Sequence, residues 1–301
     1  MENLKNKKYW IWLSLISGLG CVRKRKILQI YKTPERIYKL TKKELLKVDG
    51  IGEETAEKII MSKNEKMIDY HIRYMQKNNI DIINIDEIYY PQSLREIYDS
   101  PISLYIMGNK DILNERNIGI IGCRDCTEYG KKAAKYFAYN LSMNGINIVS
   151  GLAKGIDSYA HIGSLCAKAQ EDKEKLGKTI AVLGNGLDII YPKENIQLAN
   201  EIIKNGGCII SEYPCGTKPE KMNFPARNRI VSGLSRGIIV VEAKEKSGTL
   251  ITVDFALEQG RDVFVVPGNI NSINSVGTND LIKQGARIIT NYNEIIEFTN
   301  E

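Results

Sequence analysis

The chain has 301 residues, of which 43% are hydrophobic and 26% charged, a composition that excludes disordered and fibrous proteins. No apolar run approaches the roughly 18 residues that span a bilayer, so we expect no membrane partner. Six scattered cysteines suit a reducing cytoplasm, where we expect the protein to reside. The net charge of +6 is uneven: residues 1–80 hold 18 Lys and Arg against 9 Asp and Glu. That excess favours nucleic acid or another acidic partner, although a solvated lysine-rich face explains it equally well.

Residues 1–80 have the pattern of short helices, with a capping box that begins at Thr41. The turn Gly50-Ile51-Gly52 separates two of these helices with the spacing of a helix-hairpin-helix, whose backbone amides can hold a phosphate. A looser second copy is formed by residues 18–20 and the basic run 23–26. Hairpins of this kind also serve only as packing or protein-contact modules, so both roles remain open.

From about residue 80 the pattern changes to apolar runs separated by helical stretches, as is typical of strands covered on both faces. This alternation predicts an α/β fold: an extended Rossmann-like, doubly wound and mostly parallel sheet over 81–301, preceded by a small all-α domain over 1–80 of the helix-hairpin-helix (SAM-like) type. We expect residues 127–144 to form a crossover helix, 81–117 a connection on the sheet edge, and 168–178 a solvated insertion. The predicted strands are 118–121, 146–149, 179–183, 208–210, 238–241, 263–266 and 287–290.

Ligands bind such sheets at the carboxyl ends of the strands, and here those ends share glycines and basic residues. Glycine lets the backbone approach a ligand closely, and each following helix offers free N–H groups. One loop of this kind is weak evidence, but several together predict a polyanion binder without a metal or a nucleophile. The basic residues concerned are Arg124, Lys193, Lys221, Arg227 and Arg229.

The sequence contains no dinucleotide fingerprint and no phosphate-binding P-loop. Of the two histidines, His71 and His161, we expect the second to be a structural hydrogen-bonding residue. Cys123 and Cys126 have the spacing of a redox or zinc pair, but no second pair lies near them. We therefore predict no metal, no cofactor and no catalytic residue, and expect acids such as Glu242 to bond loop amides or orient arginines.

Within roughly residues 90–295, seven motifs occur in one order and are followed by SVGTN (275–279) and LIKQGA (281–286): GIIGCRDCTEYG, IVSGLAKGIDSYAH, TIAVLGNGLDIIYPKEN, IISEYPCGTKP, FPARNRIVSGLS, VVEAKEKSGTLIT and VFVVPG. Together they resemble the DNA-processing protein A family (DprA, also called Smf), the bacterial recombination mediators of natural transformation. Family members commonly begin with a small helical module, as this chain does. Many continue into a winged helix, but this chain stops soon after its last predicted strand, so we expect none.

The resemblance implies a non-enzymatic protein that binds single-stranded DNA, protects incoming DNA and loads the RecA recombinase. It also implies a homodimer formed through the Rossmann domain. The basic residues that the family associates with DNA fall on Arg124, Lys193 and Lys221, and the rings of Tyr191 or Phe224 are candidates for base stacking. We expect DNA contacts from Arg124, Gly151, Lys154, Gly155, Lys193, Lys221, Asn223, Phe224, Arg227, Asn228, Arg229, Ser247, Gly248 and Thr249.

Two other functions remain open. Phosphoribohydrolases share a Rossmann-like fold, and the Ser-Gly-Thr turn could hold the phosphate of a nucleotide. In those enzymes a Pro-Gly-Gly-x-Gly-Thr segment runs directly into a catalytic glutamate, whereas here Thr249 is followed by Leu250 and Ile251. The third hypothesis is an adaptor for RecA and other proteins, with DNA binding secondary.

Overall fold

A single mixed sheet organises the protein, which we describe from a computed structural model over residues 4–170 and 176–300. Within these residues the strand order is β1-β2-β6-β5-β4-β3-β7-β8-β9. The strands are β1 (Asp81–Asn84), β2 (Ser103–Gly108), β3 (Asn117–Ile121), β4 (Asn147–Ser150), β5 (Thr179–Leu183), β6 (Cys208–Ser211), β7 (Gly237–Val240), β8 (Asp262–Val265) and β9 (Arg287–Ile288). Strands β3 to β9 pair in parallel, which confirms the seven predicted strands and the doubly wound fold.

The segment 81–117 is more than a connection, so that prediction was incomplete. It contributes β1 and β2, which extend the sheet beyond β6 in antiparallel register, with Tyr105 opposite Ser211. Both are short and are separated by a stretch that holds Pro91 and Pro101, which breaks up the apolar pattern. Tertiary pairing with β6, rather than the local sequence, makes this segment extended.

Helices cover both faces of the sheet. The α-helices are α1 (Lys8–Leu15), α2 (Cys21–Tyr31), α3 (Pro34–Lys39), α4 (Lys42–Leu45), α5 (Glu53–Met61), α6 (Glu65–Lys77), α7 (Gln92–Arg95), α8 (Glu128–Met143), α9 (Ile156–Gln170), α10 (Ile196–Lys204), α11 (Asn223–Leu234), α12 (Gly248–Glu258), α13 (Val276–Lys283) and α14 (Asn293–Asn300). Four short 3-10 turns are described at Leu4–Lys7, Asp111–Asn114, Lys193–Asn195 and Ile273–Ser275. No helix within the described part of the chain is both long and apolar enough to cross a membrane.

The predicted crossover helix is α8, which begins after Thr127, whose hydroxyl accepts a hydrogen bond from the Gly130 N–H at 3.1 Å. With α9 and α14, it packs against one face of the sheet. Helices α7, α11, α12 and α13 cover the opposite face. Of the predicted insertion at 168–178, the first residues continue α9, and 171–175 lie outside the described residues.

The helical domain shares its hydrophobic core with the sheet. Trp12 and Ile68, from α1 and α6, belong to the same buried cluster as Tyr105 and Ile209 of the sheet. Polar contacts reinforce this packing: the Ser14 hydroxyl bonds the Tyr105 hydroxyl, and other side chains bond backbone carbonyls across the junction. The described part of this domain, residues 4–80, is therefore packed on the sheet rather than tethered to it.

The predicted hairpin at Gly50-Ile51-Gly52 is present, with Gly52 capping the N-terminus of α5. The first turn of α5 carries Glu53 and Glu54, and their negative charge reduces the attraction of this helix N-terminus for a phosphate. In the looser copy, Lys24 is buried and donates to the Ser14 carbonyl at 3.0 Å. The structure thus gives these hairpins a packing role.

His161 is a core residue, as predicted. It is fully buried on α9, and its Nδ1 lies 2.6 Å from the Thr179 hydroxyl of β5. Burial lowers the pKa of its imidazole to about 3, with the nearby positive charge of Arg227 acting in the same direction. The ring is therefore neutral in the folded protein at neutral pH.

We predict that replacing Trp12 with alanine lowers the free energy of unfolding by about 3–5 kcal/mol, because it empties a fully buried site shared by the helical domain and the sheet. Urea denaturation followed by circular dichroism measures the change. Met61→Ala is the control, since that side chain is 84% exposed in the same domain. A loss below about 1 kcal/mol for Trp12→Ala would contradict a shared core.

We also predict that His161 makes the protein less stable in acid. The unfolded imidazole binds a proton below its ordinary pKa of 6.5, whereas the folded one stays neutral down to about 3. The free energy of unfolding should therefore fall as the pH drops from 6.5 toward 3, and less steeply in His161→Gln. Equal pH slopes for the two proteins between pH 7 and 4.5 would contradict this assignment.

Candidate nucleic-acid interface

A cleft of about 570 Å³ opens at the carboxyl ends of the parallel strands. It lies where the strand order reverses, between β3 and β7, which is the usual ligand position in a doubly wound sheet. Its walls come from the loops after β3, β4 and β7 and from the first turns of α11 and α12. Nine predicted site residues line it: Arg124, Gly151, Lys221, Phe224, Arg227, Asn228, Ser247, Gly248 and Thr249.

One wall of the cleft combines a cation with two aromatic rings. The Arg124 guanidinium carbon lies 5.6 Å from the centre of the Phe224 ring. Tyr191 adjoins Phe224, with ring centres 5.7 Å apart and planes inclined by 34°. Arg124 is exposed and the Tyr191 side chain is 44% exposed, so this wall offers both a charge and a ring face to a ligand.

The facing wall is the N-terminus of α12. Ser247 caps this helix without a side-chain hydrogen bond to it, and its buried hydroxyl has no partner in the described protein. Gly248 is exposed, and added atoms at its Cβ position would meet open space. First-turn amides of a helix lack intrahelical partners, so this wall can donate hydrogen bonds to an anion.

Basic side chains flank both walls. Lys221 is exposed beside Phe224, and Lys244 lines the side formed by β7. Asp125 also faces the cleft and lies 3.9 Å from Lys244. Lys244 and Asp125 were absent from the predicted site. Lys244 could have been predicted, because it lies in the loop that follows the carboxyl end of β7.

Arg227 is used mainly inside the protein. Its side chain is only 5% exposed, and Nη1 donates to the Gly151 carbonyl at 2.5 Å and to the Val182 carbonyl. Burial lowers its pKa, while the carboxylate of Asp157 opposes that effect. Arg227 therefore ties α11 to the ends of β4 and β5 and adds positive charge beneath the cleft floor.

Arg229 lies outside the cleft lining. Its guanidinium is 3% exposed and bonds Glu212 at 2.9 and 2.7 Å, with Asp99 2.8 Å from Nε. The same group contacts the Cys21 sulfur of α2 at 3.6 Å. All of these partners are protein groups, so the placement supports a structural role rather than the predicted DNA contact.

The two loop glycines are required by packing. A Cβ at Gly151 would lie 2.5 Å from the Arg227 Nη2 atom. Gly155 has a φ of 78°, and a Cβ there would lie 2.3 Å from the Arg124 carbonyl oxygen. Gly155 does not line the cleft itself but lets the loops after β3 and β4 approach each other.

The remaining predicted residues lie around the cleft. Lys154 and Lys193 are exposed beyond its lining, and Lys154 pairs with Glu194 at 2.6 Å. Asn223 is buried at the start of α11. Asn228, which does line the cleft, accepts a hydrogen bond from Arg227 Nε at 3.2 Å. The structure thus brings together nine of the fourteen predicted residues and leaves five outside.

The acidic and thiol groups have structural surroundings. The Glu242 carboxylate accepts bonds from the Thr127 N–H at 2.9 Å and its hydroxyl at 2.5 Å, at the N-terminus of α8. Burial raises the pKa of Cys123 and Cys126, which keeps both thiols protonated. Within residues 4–170 and 176–300, no cluster of three or more His, Cys, Asp or Glu side chains could hold a metal ion.

Comparison with known proteins gives two family matches. The model described as "DNA recombination-mediator protein A" matches residues 81–300, and a "SAM-like Helix-hairpin-helix tandem" matches residues 13–63. Among curated relatives, Protein Smf of Synechocystis sp. is 39% identical over 292 residues, which cover 96% of this chain and 71% of that protein.

Two solved structures are also similar. DNA processing protein A (DprA) from Streptococcus pneumoniae superposes with a TM-score of 0.82 at 36% identity, covering 96% of this chain and 97% of that one. DNA processing protein A from Helicobacter pylori, solved to describe its single-stranded DNA binding mode, has a TM-score of 0.63 at 33% identity. That match covers 73% of this chain and 94% of the Helicobacter chain.

We predict that Arg229→Ala lowers the free energy of unfolding by about 3–5 kcal/mol, because it leaves Glu212 and Asp99 without their buried counter-ion. The matched change Lys221→Ala should alter stability by less than about 0.5 kcal/mol, since that side chain is exposed. Chemical denaturation of both variants tests the assignment. Equal free energies of unfolding for Arg229→Ala and the parent would contradict the structural role and make Arg229 a candidate for ligand binding again.

Proposed function

The chain belongs to the DNA recombination-mediator protein A family, and we propose that it binds single-stranded DNA in the cleft without catalysing a reaction on it. The observation that carries this proposal is the wall formed by Arg124, Phe224 and Tyr191, which places a free cation beside two accessible rings. Binding of single strands requires that combination, because phosphates need neutralisation and unstacked bases need a surface. The Helicobacter relative, whose single-stranded DNA binding mode has been described, supports the same ligand.

In the proposed complex, different groups hold the two parts of a nucleotide. Arg124, Lys221 and Lys244 neutralise phosphates, and the first-turn amides of α12 donate hydrogen bonds to a phosphate oxygen. A base stacks on Phe224 or Tyr191. The bases of a duplex are already stacked on one another, so these rings favour a single strand over a duplex.

The surroundings of the acidic side chains support a non-enzymatic role. Hydrolysis of a nucleotide would require a free carboxylate to act as nucleophile or base. The Glu242 carboxylate accepts a hydrogen bond from the Thr127 N–H, and the Asp188 carboxylate accepts one from the Gly216 N–H at 2.9 Å. Asp157 is buried, which raises the pKa of its carboxyl, and it lies against Arg227. Asp125, the exposed carboxylate of the cleft, faces Lys244.

We extend the proposal to the cellular role. The protein acts in the cytoplasm as a homodimer that forms through the Rossmann domain, protects incoming DNA and loads RecA during natural transformation. The support is the family membership and the relatives named DNA processing protein DprA. RecA filament formation on single strands coated by a single-strand binding protein tests this role. No acceleration by the purified protein would reject RecA loading while leaving DNA binding in place.

We predict that Arg124→Glu and Lys221→Glu each weaken single-stranded DNA binding by about tenfold or more and reduce the salt dependence of affinity. Phe224→Ala should weaken binding while leaving the salt dependence unchanged, because it removes a stacking surface rather than a charge. Fluorescence anisotropy over a salt series, with single-stranded and duplex oligonucleotides, measures both effects. Lys204→Glu is the charge-matched control, on an exposed side chain at the end of α10, next to the start of β6 and away from the carboxyl ends of the strands.

Unchanged affinity in both charge-reversal variants would reject the cleft as the DNA site. Release of free base from nucleoside monophosphates, lost in Glu242→Gln, would support the nucleotide-processing enzyme instead. A protein that binds RecA but neither single-stranded nor duplex DNA would support the adaptor.

A further inference from the structure

Helix α6 presents a basic and aromatic stripe to solvent. Its buried face is formed by Ile68, Ile72 and Met75. On the opposite face, exposed residues recur at intervals of four, three and four, which aligns them along about 16 Å of the helix. These residues, the α6 stripe, are Lys66, Tyr70, Arg73 and Lys77.

The cations of the α6 stripe lie outside the ion pairs that the structure describes in the helical domain. Within the described residues, none of its three cations has a carboxylate oxygen within 4.0 Å, so none forms an ion pair. By contrast, many basic side chains of this domain are paired with acids. The paired residues are Lys8 with Glu65, Lys26 with Asp49, Lys39 with Glu35, Lys42 with Glu53 and Glu57, and Lys58 with Glu54.

The side of α6 next to the stripe lies close to the carboxyl ends of β5 and β6. Tyr74 packs against the buried cluster that includes Leu187, after β5, and Cys215, after β6. Burial raises the pKa of its hydroxyl, and the negative charge of Asp188 acts in the same direction. Burial lowers the pKa of His71, while Asp188 opposes that change. Tyr70 continues the row of rings outward, its centre 6.4 Å from that of Tyr74.

A short segment, residues 215–221, connects this side of α6 to the cleft. It starts at Cys215, which belongs to the buried cluster that Tyr74 packs against, and the Gly216 N–H donates to the Asp188 carboxylate. Lys218 is exposed in the middle of the segment, and Lys221 at its end lines the cleft. The segment thus carries two lysines and one exposed acid, Glu220, between the cleft and the aromatic side of α6.

We propose that a single strand bound in the cleft continues past Lys221 and Lys218 onto the α6 stripe, so that the DNA footprint includes the helical domain. This inference rests on the proposed function, since the cleft provides the first part of the track. The stripe cations bind phosphates and Tyr70 supplies a ring, the two features that single-stranded nucleic acid requires. The hairpin before α5 takes no part, because its helix N-terminus carries Glu53 and Glu54.

The test compares two oligonucleotide lengths and two matched triple variants. In the stripe variant, Lys66, Arg73 and Lys77 are each changed to glutamine. The control variant changes Lys32, Lys43 and Lys47 to glutamine, three exposed lysines of the same domain without an ion pair in the described structure. Both lose three charges on the surface, and circular dichroism checks that both remain folded.

Affinity is measured by anisotropy over a salt series with oligonucleotides of about 6 and about 20 nucleotides. The stripe variant should bind the longer strand about tenfold more weakly, with a salt slope reduced by about 2, since each lost phosphate contact contributes about 0.7. It should bind the short strand as the parent does, because that strand fills only the cleft. The control variant should match the parent with both lengths.

Parent-like binding of the long strand by the stripe variant would overturn the inference and leave the proposed function standing; the stripe would then be a candidate contact for an acidic protein surface. An equal loss in the control variant would also overturn it, because the effect would be one of general charge. Failure of the parent to bind either length would reject the proposed function itself.

Discussion

The geometry of the cleft depends on the burial of two arginines within one turn of α11. A buried guanidinium is tolerated only where hydrogen-bond acceptors or counter-ions surround it, so each one fixes the helix that carries it. Arg227 is held by carbonyls at the ends of β4 and β5, and Arg229 by Glu212 and Asp99. Their helix is thereby fixed over the strand ends, which brings Phe224 against Arg124.

Because several strand ends build the cleft together, no contiguous motif describes it. Glycines and backbone form part of its lining, the exposed cations come from three different loops, and the rings of Tyr191 and Phe224 come from two further positions along the chain. The acidic residues near the cleft mostly accept hydrogen bonds from other parts of the protein. Glu242 bonds Thr127, the N-cap residue of α8, and Asp188 bonds the N–H of Gly216. These acids therefore contribute mainly to the structure of the strand ends around the cleft.

The sequence predicted the parallel strands because most of them are continuous apolar runs, and it predicted nine residues that line the cleft because they follow those strands. It could not separate Arg124 from Arg229, since both are arginines beside apolar segments. The difference comes from Glu212 and Asp99, which pair with Arg229 inside the protein, whereas Arg124 is exposed and lies against the Phe224 ring. Strands β1 and β2 were missed for the same reason, because pairing with a distant strand defines them.

The core shared by the helical domain and the sheet has a mechanical consequence. A domain joined by a flexible linker moves when a force acts on it. The helical domain instead transmits the force to the sheet, because its Trp12 packs in the same buried cluster as sheet residues. Force applied to α6 by a DNA strand under tension or by a bound protein therefore reaches β1, β2 and β6 without first stretching a hinge. The segment that follows β6 leads directly into α11, so tension on the helical domain acts on the side of the cleft that carries Phe224.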